Sequence, residues 1–275
     1  MPDLVLSPQV FSILSALVEE RVGLSYSLSE QDLFASKVSH RAVEAGFESM
    51  LDYYYYLRYD DPEQQEFRRL AETLLVHETF FFREAEPLRV AIEQFVAPRV
   101  ARGQRARIWC AACATGEEPL TVAMLLRDAK LELHVDLIAS DLSERALQRA
   151  RSGTFSPRAL RQHARHALAA RYLESRPDAV IARAELVQSV DFRCINLLDK
   201  EAITKLGSFD LIVCRNALIY FSDQRAAHVV RTMAQALVPD GALLVGVSES
   251  LMRLDTPLVC EEHAGVFIYR ASSTT

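Results

Sequence analysis

The sequence predicts an α/β protein with a doubly wound parallel sheet, preceded by an all-helical domain. Two observations carry this prediction. Apolar residues follow helical spacing over residues 8–75, and after residue 105 short apolar runs alternate with amphipathic segments. Because buried parallel strands read as short apolar runs separated by crossover helices, the change of pattern also predicts a boundary between two domains.

The length and composition agree with two domains. The chain has 275 residues, of which 50% are hydrophobic and 25% charged, with 9 glycines. This composition excludes collagen-like, low-complexity and disordered classes and is typical of a soluble globular protein. No apolar run reaches the roughly 18 residues of a membrane span, and five cysteines without framework spacing fit a reducing compartment. We therefore expect a cytoplasmic protein without membrane insertion.

The first 76 residues predict about four helices and no strand. Gly23, Gly46 and the turn at residues 60–62 interrupt the apolar pattern where helix ends are expected. Tyrosines at residues 53–56 face all round a helix, so some of the rings are expected in the core. This domain carries 13 acidic and 6 basic side chains, whereas the rest of the chain carries 24 and 25.

The second domain predicts strands that alternate with helices. Helices are expected at residues 117–129, 143–151 and 223–237, the last followed by a Pro-Asp-Gly turn at 239–241. Parallel sheets of this kind bind ligands beyond the carboxyl ends of their strands, so the residues that follow each strand are the candidate site. The predicted strands are residues 106–110, 134–140, 190–195, 209–214, 242–247 and, at one edge of the sheet, 265–270.

A loop of small residues, 111–119, follows the first strand. It contains one glycine, so it is not the glycine-rich dinucleotide fingerprint. Glu117 and Glu118 begin the next helix, where they would repel a phosphate and suit a cationic ligand. Asp141 ends the second strand, a position from which a carboxylate accepts hydrogen bonds from a ribose. S-adenosylmethionine, a nucleoside with an amino group and no phosphate, fits both the acidic helix start and the acid at the strand end. The alternative is that the helix-start acids only cap the helix and that Asp141 is an ordinary surface residue.

Three motifs lie in separated parts of the chain: residues 79–84 (TFFFRE), 108–124 (IWCAACATGEEPLTVAM) and 214–221 (CRNALIYF). Together with residues 195–198 (INLL) and the pair Ser248 and Glu249, they resemble the chemotaxis-receptor methyltransferases, the CheR family. The resemblance implies an all-helical domain, residues 1–76, and a Rossmann-like S-adenosylmethionine-dependent methyltransferase domain, residues 77–275, with a small β subdomain inserted around 154–190. It also implies methylation of receptor glutamates to γ-methyl esters, with S-adenosylhomocysteine as the other product.

The resemblance assigns cofactor-binding roles position by position. It places His77, Thr79 and Arg83 in the lid of the pocket. It places Glu117 on the methionine amino group and Asp141 on the ribose. Beside the adenine it places Asn196 and Leu197, and the pocket is closed by Arg215 and Asn216.

Arg83 and Tyr220 are the candidate catalytic residues. A glutamate is already ionised at neutral pH, so methyl transfer to it needs no strong general base and depends on positioning and partial desolvation. The guanidinium fork of Arg83 suits both the cofactor and the substrate carboxylate, and the ring or the hydroxyl of Tyr220 is expected over the methyl group. The alternatives are an ion pair of Arg83 with Glu84 or Glu86, and a core position for Tyr220.

Arginines are concentrated in the predicted insertion. Residues 145–183 hold nine arginines against two acidic residues, and a helix over 158–172 would align Arg158, Arg161 and Arg165. The resemblance implies chemoreceptor cytoplasmic helices, which are acidic, as the partner. This arginine-rich segment is one candidate docking surface, and the face of Lys37, His40 and Arg41 is another; a solvated helix face is the alternative. The resemblance implies that members which dock on a receptor's C-terminal pentapeptide have a glycine-containing loop in the β subdomain. The corresponding residues here, 172–187, are few and contain no glycine, so we expect no such tethering.

Two other functions remain open at this point: a nucleic-acid methyltransferase and a non-catalytic, cofactor-binding signalling adaptor. The fourth predicted strand ends in Cys-Arg-Asn-Ala-Leu, which is not the Asn-Pro-Pro-Tyr type that methyltransferases of nucleic-acid bases use. The presence of Arg83 and Tyr220 argues against a non-catalytic adaptor. Cys110 and Cys113 form a lone CxxC pair without the further ligands that zinc requires. We expect no metal, no stable nucleic-acid partner and a monomer.

Overall fold

The structure, a computed structural model, describes residues 4–161 and 167–271. The chain divides into two compact units, one of Met1–Val76 with Tyr220–Arg225 and one of His77–Ile219 with Ala226–Thr275. The predicted fold class is confirmed, since the first unit is helical and the second is built on a mostly parallel sheet. In the parts of the chain that the structure describes, no helix has the length and apolar character to span a membrane.

The described residues 4–76 of the N-terminal unit contain four α-helices and a short 3₁₀ turn, Leu28–Glu30. A wider π-helical turn, Tyr56–Asp60, continues the third. The first helix begins where the Ser7 hydroxyl accepts from the Val10 amide at 3.3 Å, and it ends at Gly23 with φ 82°. A Cβ at Gly23 would lie 2.2 Å from the Phe221 ring, so only glycine fits this helix end. The helices are α1 (Pro8–Val22), α2 (Gln31–Glu44), α3 (Met50–Tyr55) and α4 (Gln65–Leu74).

A buried ion pair holds this unit together. Arg41 donates from Nε and Nη2 to the two oxygens of Glu66, each at 2.7 Å, and the Tyr53 hydroxyl donates to Glu66 at 2.9 Å. Burial and the charge of Glu66 raise the pKa of Tyr53 well above its usual range. Of the tyrosine cluster, Tyr53 is therefore a core residue, as predicted, whereas Tyr55 is exposed.

The larger unit is built on a seven-stranded sheet, in which five neighbouring strands are parallel and two hairpin strands follow. The strand order is β6-β2-β1-β7-β8-β10-β9, and a separate antiparallel sheet has the order β3-β5-β4. The strands are β1 (Ala106–Ala111), β2 (Val135–Asp141), β3 (Thr154–Phe155), β4 (Leu173–Ser175), β5 (Val180–Ala182), β6 (Val190–Cys194), β7 (Phe209–Cys214), β8 (Leu237–Val245), β9 (Leu258–His263) and β10 (Val266–Ala271).

Helices connect the strands of this unit and pack on the sheet. The core is a continuous apolar cluster that α5, α7 and the inner strands share. The helices predicted at 117–129, 143–151 and 223–237 are present. The full set is α5 (Ala85–Ala91), α6 (Ala97–Ala101), α7 (Glu117–Asp128), α8 (Glu144–Ser152), α9 (Ala169–Tyr172), α10 (Ala184–Val187), α11 (Lys200–Lys205) and α12 (Asp223–Gln235), with a π-helical turn, Ile92–Val96, between α5 and α6.

Two predictions about the end of the sheet were wrong. The last strand, β10, is not an edge strand, because it lies between β8 and β9. Strand β9 has half-exposed, partly charged positions and no apolar run, which is why periodicity missed it. The Pro-Asp-Gly sequence at 239–241 is not a turn before the strand but an irregularity inside β8, with a shift of pairing register and φ 67° at Asp240.

The predicted arginine-aligned helix over 158–172 was also wrong. The chain forms a short 3₁₀ turn, Pro157–Ala159, and leaves helical geometry at Leu160, where φ is −111° and ψ is 84°. Helix α9 covers only Ala169–Tyr172. Arg165 lies outside the described residues, and Arg158 and Arg161 do not share a continuous helix face.

Candidate active site

The carboxyl ends of four parallel strands bring most of the predicted site residues of the larger unit to one edge of the sheet. Ala111 of β1 is in register with Ser140 of β2 and with Cys214 of β7, and Asp141 is in register with Cys194 of β6. The segments that follow these strand ends carry Glu117, at the start of α7, and Asn196, Leu197, Arg215 and Asn216, and Asp141 itself ends β2.

Asp141 shapes the loop between β1 and α7. Its Oδ2 accepts from the Ala114 amide at 2.8 Å, and its Oδ1 accepts from the Ser143 amide at 2.9 Å. The loop has left-handed backbone at Ala114 and at Gly116, where φ is 96°. A Cβ at Gly116 would lie 2.6 Å from the Cβ of Ala150, so this glycine allows α7 to approach α8 closely.

Glu117 is a buried carboxylate, with 4% of the residue exposed. The Thr115 hydroxyl donates to its Oε2 at 2.6 Å, and no basic side chain among the described residues forms an ion pair with it. Burial raises the pKa of Glu117, while the Thr115 hydrogen bond and the charge of Arg149 lower it. Burial of a carboxylate without an ion pair costs folding free energy, and a cationic ligand would offset that cost.

Asn196 and Leu197 lie just beyond β6. The Ile195 amide donates to the Asp141 carbonyl at 2.9 Å, which ties this loop to the end of β2. Asn196 Oδ1 accepts from the Leu198 amide at 3.0 Å, and Leu197 is buried. The loop therefore presents one polar and one apolar side chain next to Asp141.

Arg215 is almost fully buried, with 1% of its side chain exposed. Its Nη2 donates to Glu84 at 2.6 Å and to the Arg83 carbonyl at 3.1 Å, and its Nη1 donates to Glu118 at 3.1 Å. Burial raises the pKa of Glu118, and the charge of Arg215 lowers it. These three hydrogen bonds join residues 83–84 to the start of α7, so Arg215 has a structural role in the site. Its contact with the cofactor stays a prediction.

Arg83 is free of the ion pairs that were the alternative to a catalytic role. Glu84 pairs with Arg215, and Glu86 pairs with Arg89. The Arg83 Nη1 donates to the Glu78 carbonyl at 3.1 Å, and its other N–H groups have no partner among the residues that the structure describes. Phe82 and Glu84, on either side, have left-handed backbone with φ 60° and 45°. Such strained backbone is typical of functional sites.

The remaining predicted residues occupy different positions. His77 and Thr79 are half-buried, and the buried Nε2 of His77 has no hydrogen-bond partner among the described residues. Asn216 has φ 57° in the loop after β7. Tyr220 is half-buried and groups with the N-terminal helices, at the end of the 3₁₀ turn Leu218–Tyr220. Its catalytic role stays a prediction.

Glu249 is a site-shaping residue to which the sequence assigned no role. Its Oε2 accepts from the amides of Asn216 at 2.7 Å and Gly246 at 2.8 Å. Its Oε1 accepts from the amides of Leu218 at 2.8 Å and Ile219 at 3.3 Å. One buried carboxylate therefore determines the path of the loop that carries Asn216.

The CxxC pair is part of the core. Cys110 and Cys113 are buried free thiols, and burial raises the pKa of both. No group of three metal-ligating side chains is found over residues 4–161 and 167–271. The two cysteines therefore act as small packing residues beneath the loop after β1.

The comparisons with known proteins agree with this geometry. Residues 77–264 match the family described as "CheR methyltransferase, SAM binding domain", and residues 9–75 match "CheR methyltransferase, all-alpha domain". The chain belongs to the CheR methyltransferase family. The resemblance found in the sequence motifs is thereby confirmed, and the site at the strand ends lies within the SAM-binding domain of that family.

Curated CheR relatives match over most of the chain. The "Chemotaxis protein methyltransferase 2" of Vibrio cholerae is 30% identical over 262 residues, which cover 93% of this chain and 90% of that protein. The "Chemotaxis protein methyltransferase" of Escherichia coli is 31% identical over 259 residues, which cover 92% and 88%. The "Probable biofilm formation methyltransferase WspC" of Pseudomonas aeruginosa is 30% identical over 239 residues, which cover 85% of this chain and 55% of that longer protein.

Proposed function

We propose that this protein transfers a methyl group from S-adenosylmethionine to glutamate side chains of chemoreceptor cytoplasmic helices, with γ-glutamyl methyl esters and S-adenosylhomocysteine as products. The observation that carries the proposal is the buried carboxylate of Glu117, which forms no ion pair with the described residues and follows β1 within a CheR SAM-binding domain. The protein is a cytoplasmic monomer in this proposal, and it works on membrane-bound receptors without entering the membrane.

The side chains at the strand ends fit the cofactor. Glu117 would accept from its ammonium group, and Asp141, at the end of β2, would accept from the ribose hydroxyls. Asn196 and Leu197 offer polar and apolar contacts to the adenine. The unpartnered Nε2 of His77 supports a ligand contact from the segment that also carries Thr79 and Arg83.

The chemistry requires orientation more than proton transfer. When bound, the cofactor supplies an electrophilic methyl group on a sulfonium. The substrate glutamate is already a carboxylate at neutral pH, so no side chain of this protein needs to remove a proton. Arg83 orients that carboxylate through its free N–H groups, and Tyr220 shields the methyl group from water.

The first test of this proposal is methyl transfer to receptor fragments. Labelled S-adenosylmethionine is offered with the protein and with either a receptor cytoplasmic fragment or RNA. We expect label on the receptor fragment that mild alkali releases as methanol, and a rate about tenfold lower for Arg83→Ala, because the carboxylate loses its orienting cation. Base-stable label on RNA would contradict the proposal, and so would an unchanged rate for Arg83→Ala.

Ion pairs and hydrogen bonds occupy many of the positive charges in the described parts of both predicted docking surfaces. In the arginine-rich segment, five of the eight described arginines pair with carboxylates, of which only Glu174 lies inside the segment. The pairs are Arg151–Glu144, Arg161–Glu78, Arg171–Asp128, Arg176–Glu174 and Arg183–Glu185. On the N-terminal face, Arg41 binds Glu66 and Lys37 donates to the Leu74 carbonyl at 3.2 Å. The count of charges along the sequence therefore overestimates what either surface offers to an acidic partner.

We also propose that a receptor tail does not tether this enzyme. The hairpin between β4 and β5 is tight, since the Arg176 amide donates to the Ala179 carbonyl at 2.7 Å, and residues 172–187 contain no glycine. Calorimetric titration with C-terminal pentapeptides of receptors is expected to give no saturable heat. Methylation rates of receptor fragments with and without that tail are expected to be equal, and a slower rate without the tail would disprove the proposal.

A further inference from the structure

The segment that carries Arg83 is held by the residues around the small sheet. The Phe81 amide donates to the Ala159 carbonyl at 2.8 Å. The Phe81 ring packs edge-on against Phe155 of β3, with the ring centroids 5.0 Å apart. These contacts hold Phe81 in place but do not involve the side chains of Phe80 and Arg83, whose contacts lie elsewhere.

Arg161, just after the 3₁₀ turn, contacts the same two residues as Arg83. Its Nη2 donates to Glu78 Oε1 at 2.9 Å, and its Cζ lies 4.1 Å from the centroid of the Phe80 ring. The Arg83 Nη1 donates to the Glu78 carbonyl at 3.1 Å, and its Cζ lies 5.7 Å from the same ring. Glu78 and Phe80 are therefore shared by both guanidinium groups.

We propose that Arg161 is a positioning residue for Arg83. By holding the side chains of Glu78 and Phe80, it keeps in place the carbonyl and the ring against which the Arg83 guanidinium rests. The strained backbone on both sides of Arg83 needs such support, since left-handed residues other than glycine persist only where their surroundings hold them. This inference rests on the proposed function, in which Arg83 orients the substrate carboxylate.

The exposure of Arg161 and Glu78 distinguishes a positioning role of Arg161 from a role in folding stability. The side chains of Arg161 and Glu78 are 51% and 69% exposed, and exposed ion pairs contribute little to folding stability. Removal of the Arg161 guanidinium should therefore leave the fold intact while it loosens Arg83. Arg158 is a matched control, because it is an exposed arginine on the 3₁₀ turn that precedes Arg161 and forms no ion pair with the residues that the structure describes.

The kinetic test compares Arg161→Ala, Arg161→Lys, Arg158→Ala and Arg83→Ala on a receptor fragment. We expect Arg161→Ala to lower kcat/KM for the fragment about fivefold at unchanged Tm, Arg161→Lys to recover part of the loss, and Arg158→Ala to match the parent. In the Arg83→Ala background, Arg161→Ala is expected to cause no further loss, because both substitutions disrupt the same interaction. The proposal would be overturned if the losses of kcat/KM from Arg83→Ala and Arg161→Ala multiplied in the double variant. A lowered Tm of Arg161→Ala that accounted for its loss of activity would overturn it too.

A second measurement does not depend on activity. A dicarbonyl reagent that modifies arginine is added in pulses, and labelling of Arg83 is followed by mass spectrometry of its peptide. We expect several-fold faster labelling of Arg83 in Arg161→Ala and no change in Arg158→Ala. If the parent protein methylates no receptor, the proposed function fails, and unchanged labelling of Arg83 in Arg161→Ala still decides against the role of Arg161.

Discussion

Replacement of Glu249 by alanine is expected to lower the free energy of unfolding by about 4 kcal/mol, because one buried carboxylate accepts from the amides of Asn216, Gly246, Leu218 and Ile219. The change would leave these amide groups without an acceptor in a largely buried place. Chemical denaturation, followed by circular dichroism, measures the loss. We also expect methyl transfer to fall, since the loop that carries Asn216 would lose its anchor.

Two variants control for this prediction. Glu249→Gln keeps one accepting oxygen and turns an NH₂ group toward the other amides, so its loss should be intermediate. Glu262 is exposed and has no ion pair among the described residues, and Glu262→Ala should change the free energy of unfolding by less than about 0.5 kcal/mol. A loss for Glu249→Ala as small as that for Glu262→Ala would contradict the role of Glu249.

The fold was largely predictable because its inner strands bury both faces. The run ARIWC predicted residues 106–110, and the strand is Ala106–Ala111. Strand β9 and the position of β10 were not predictable in the same way, because pairing order depends on contacts between distant segments and a hairpin at the end of a sheet can expose half of its residues.

The positions of two charged residues were predictable from local pattern, since Asp141 ends β2 and Glu117 begins the helix after β1, while their binding roles stay predictions. The role of Glu249 was not predictable, because its hydrogen-bond partners Leu218 and Ile219 lie 31 and 30 residues away along the chain. The arginine-rich segment shows the same limit of local reasoning. Its charge count omitted Glu78 and Asp128, which lie outside the segment and pair with two of its arginines.

Glu117→Gln is expected to weaken S-adenosylmethionine binding by about 2 kcal/mol, roughly thirtyfold in Kd, while the ligand-free protein becomes at least as stable. Both effects have one cause, the burial of a charge that only a cationic ligand neutralises. Calorimetry measures the affinity, and thermal unfolding measures the stability with and without the cofactor. Glu144→Gln is the matched control, since Glu144 occupies the first position of α8 as Glu117 does in α7, but is exposed.

The pH dependence of stability and of cofactor affinity tests whether the buried charge of Glu117 is the cause of both effects. Burial raises the pKa of Glu117 above 4.5, its usual value, so the folded protein binds this proton more tightly than the unfolded chain does. The ionised carboxylate therefore costs stability above the raised pKa, and the cost disappears as the pH falls toward 4.5 and below. The stability advantage of Glu117→Gln over the parent should be full at pH 8 and absent in acid, whereas Glu144→Gln should show no such trend. Cofactor affinity of the parent should fall as the pH drops through the raised pKa, and a Glu117→Gln variant that binds as tightly as the parent at pH 8 would remove Glu117 from the cofactor site.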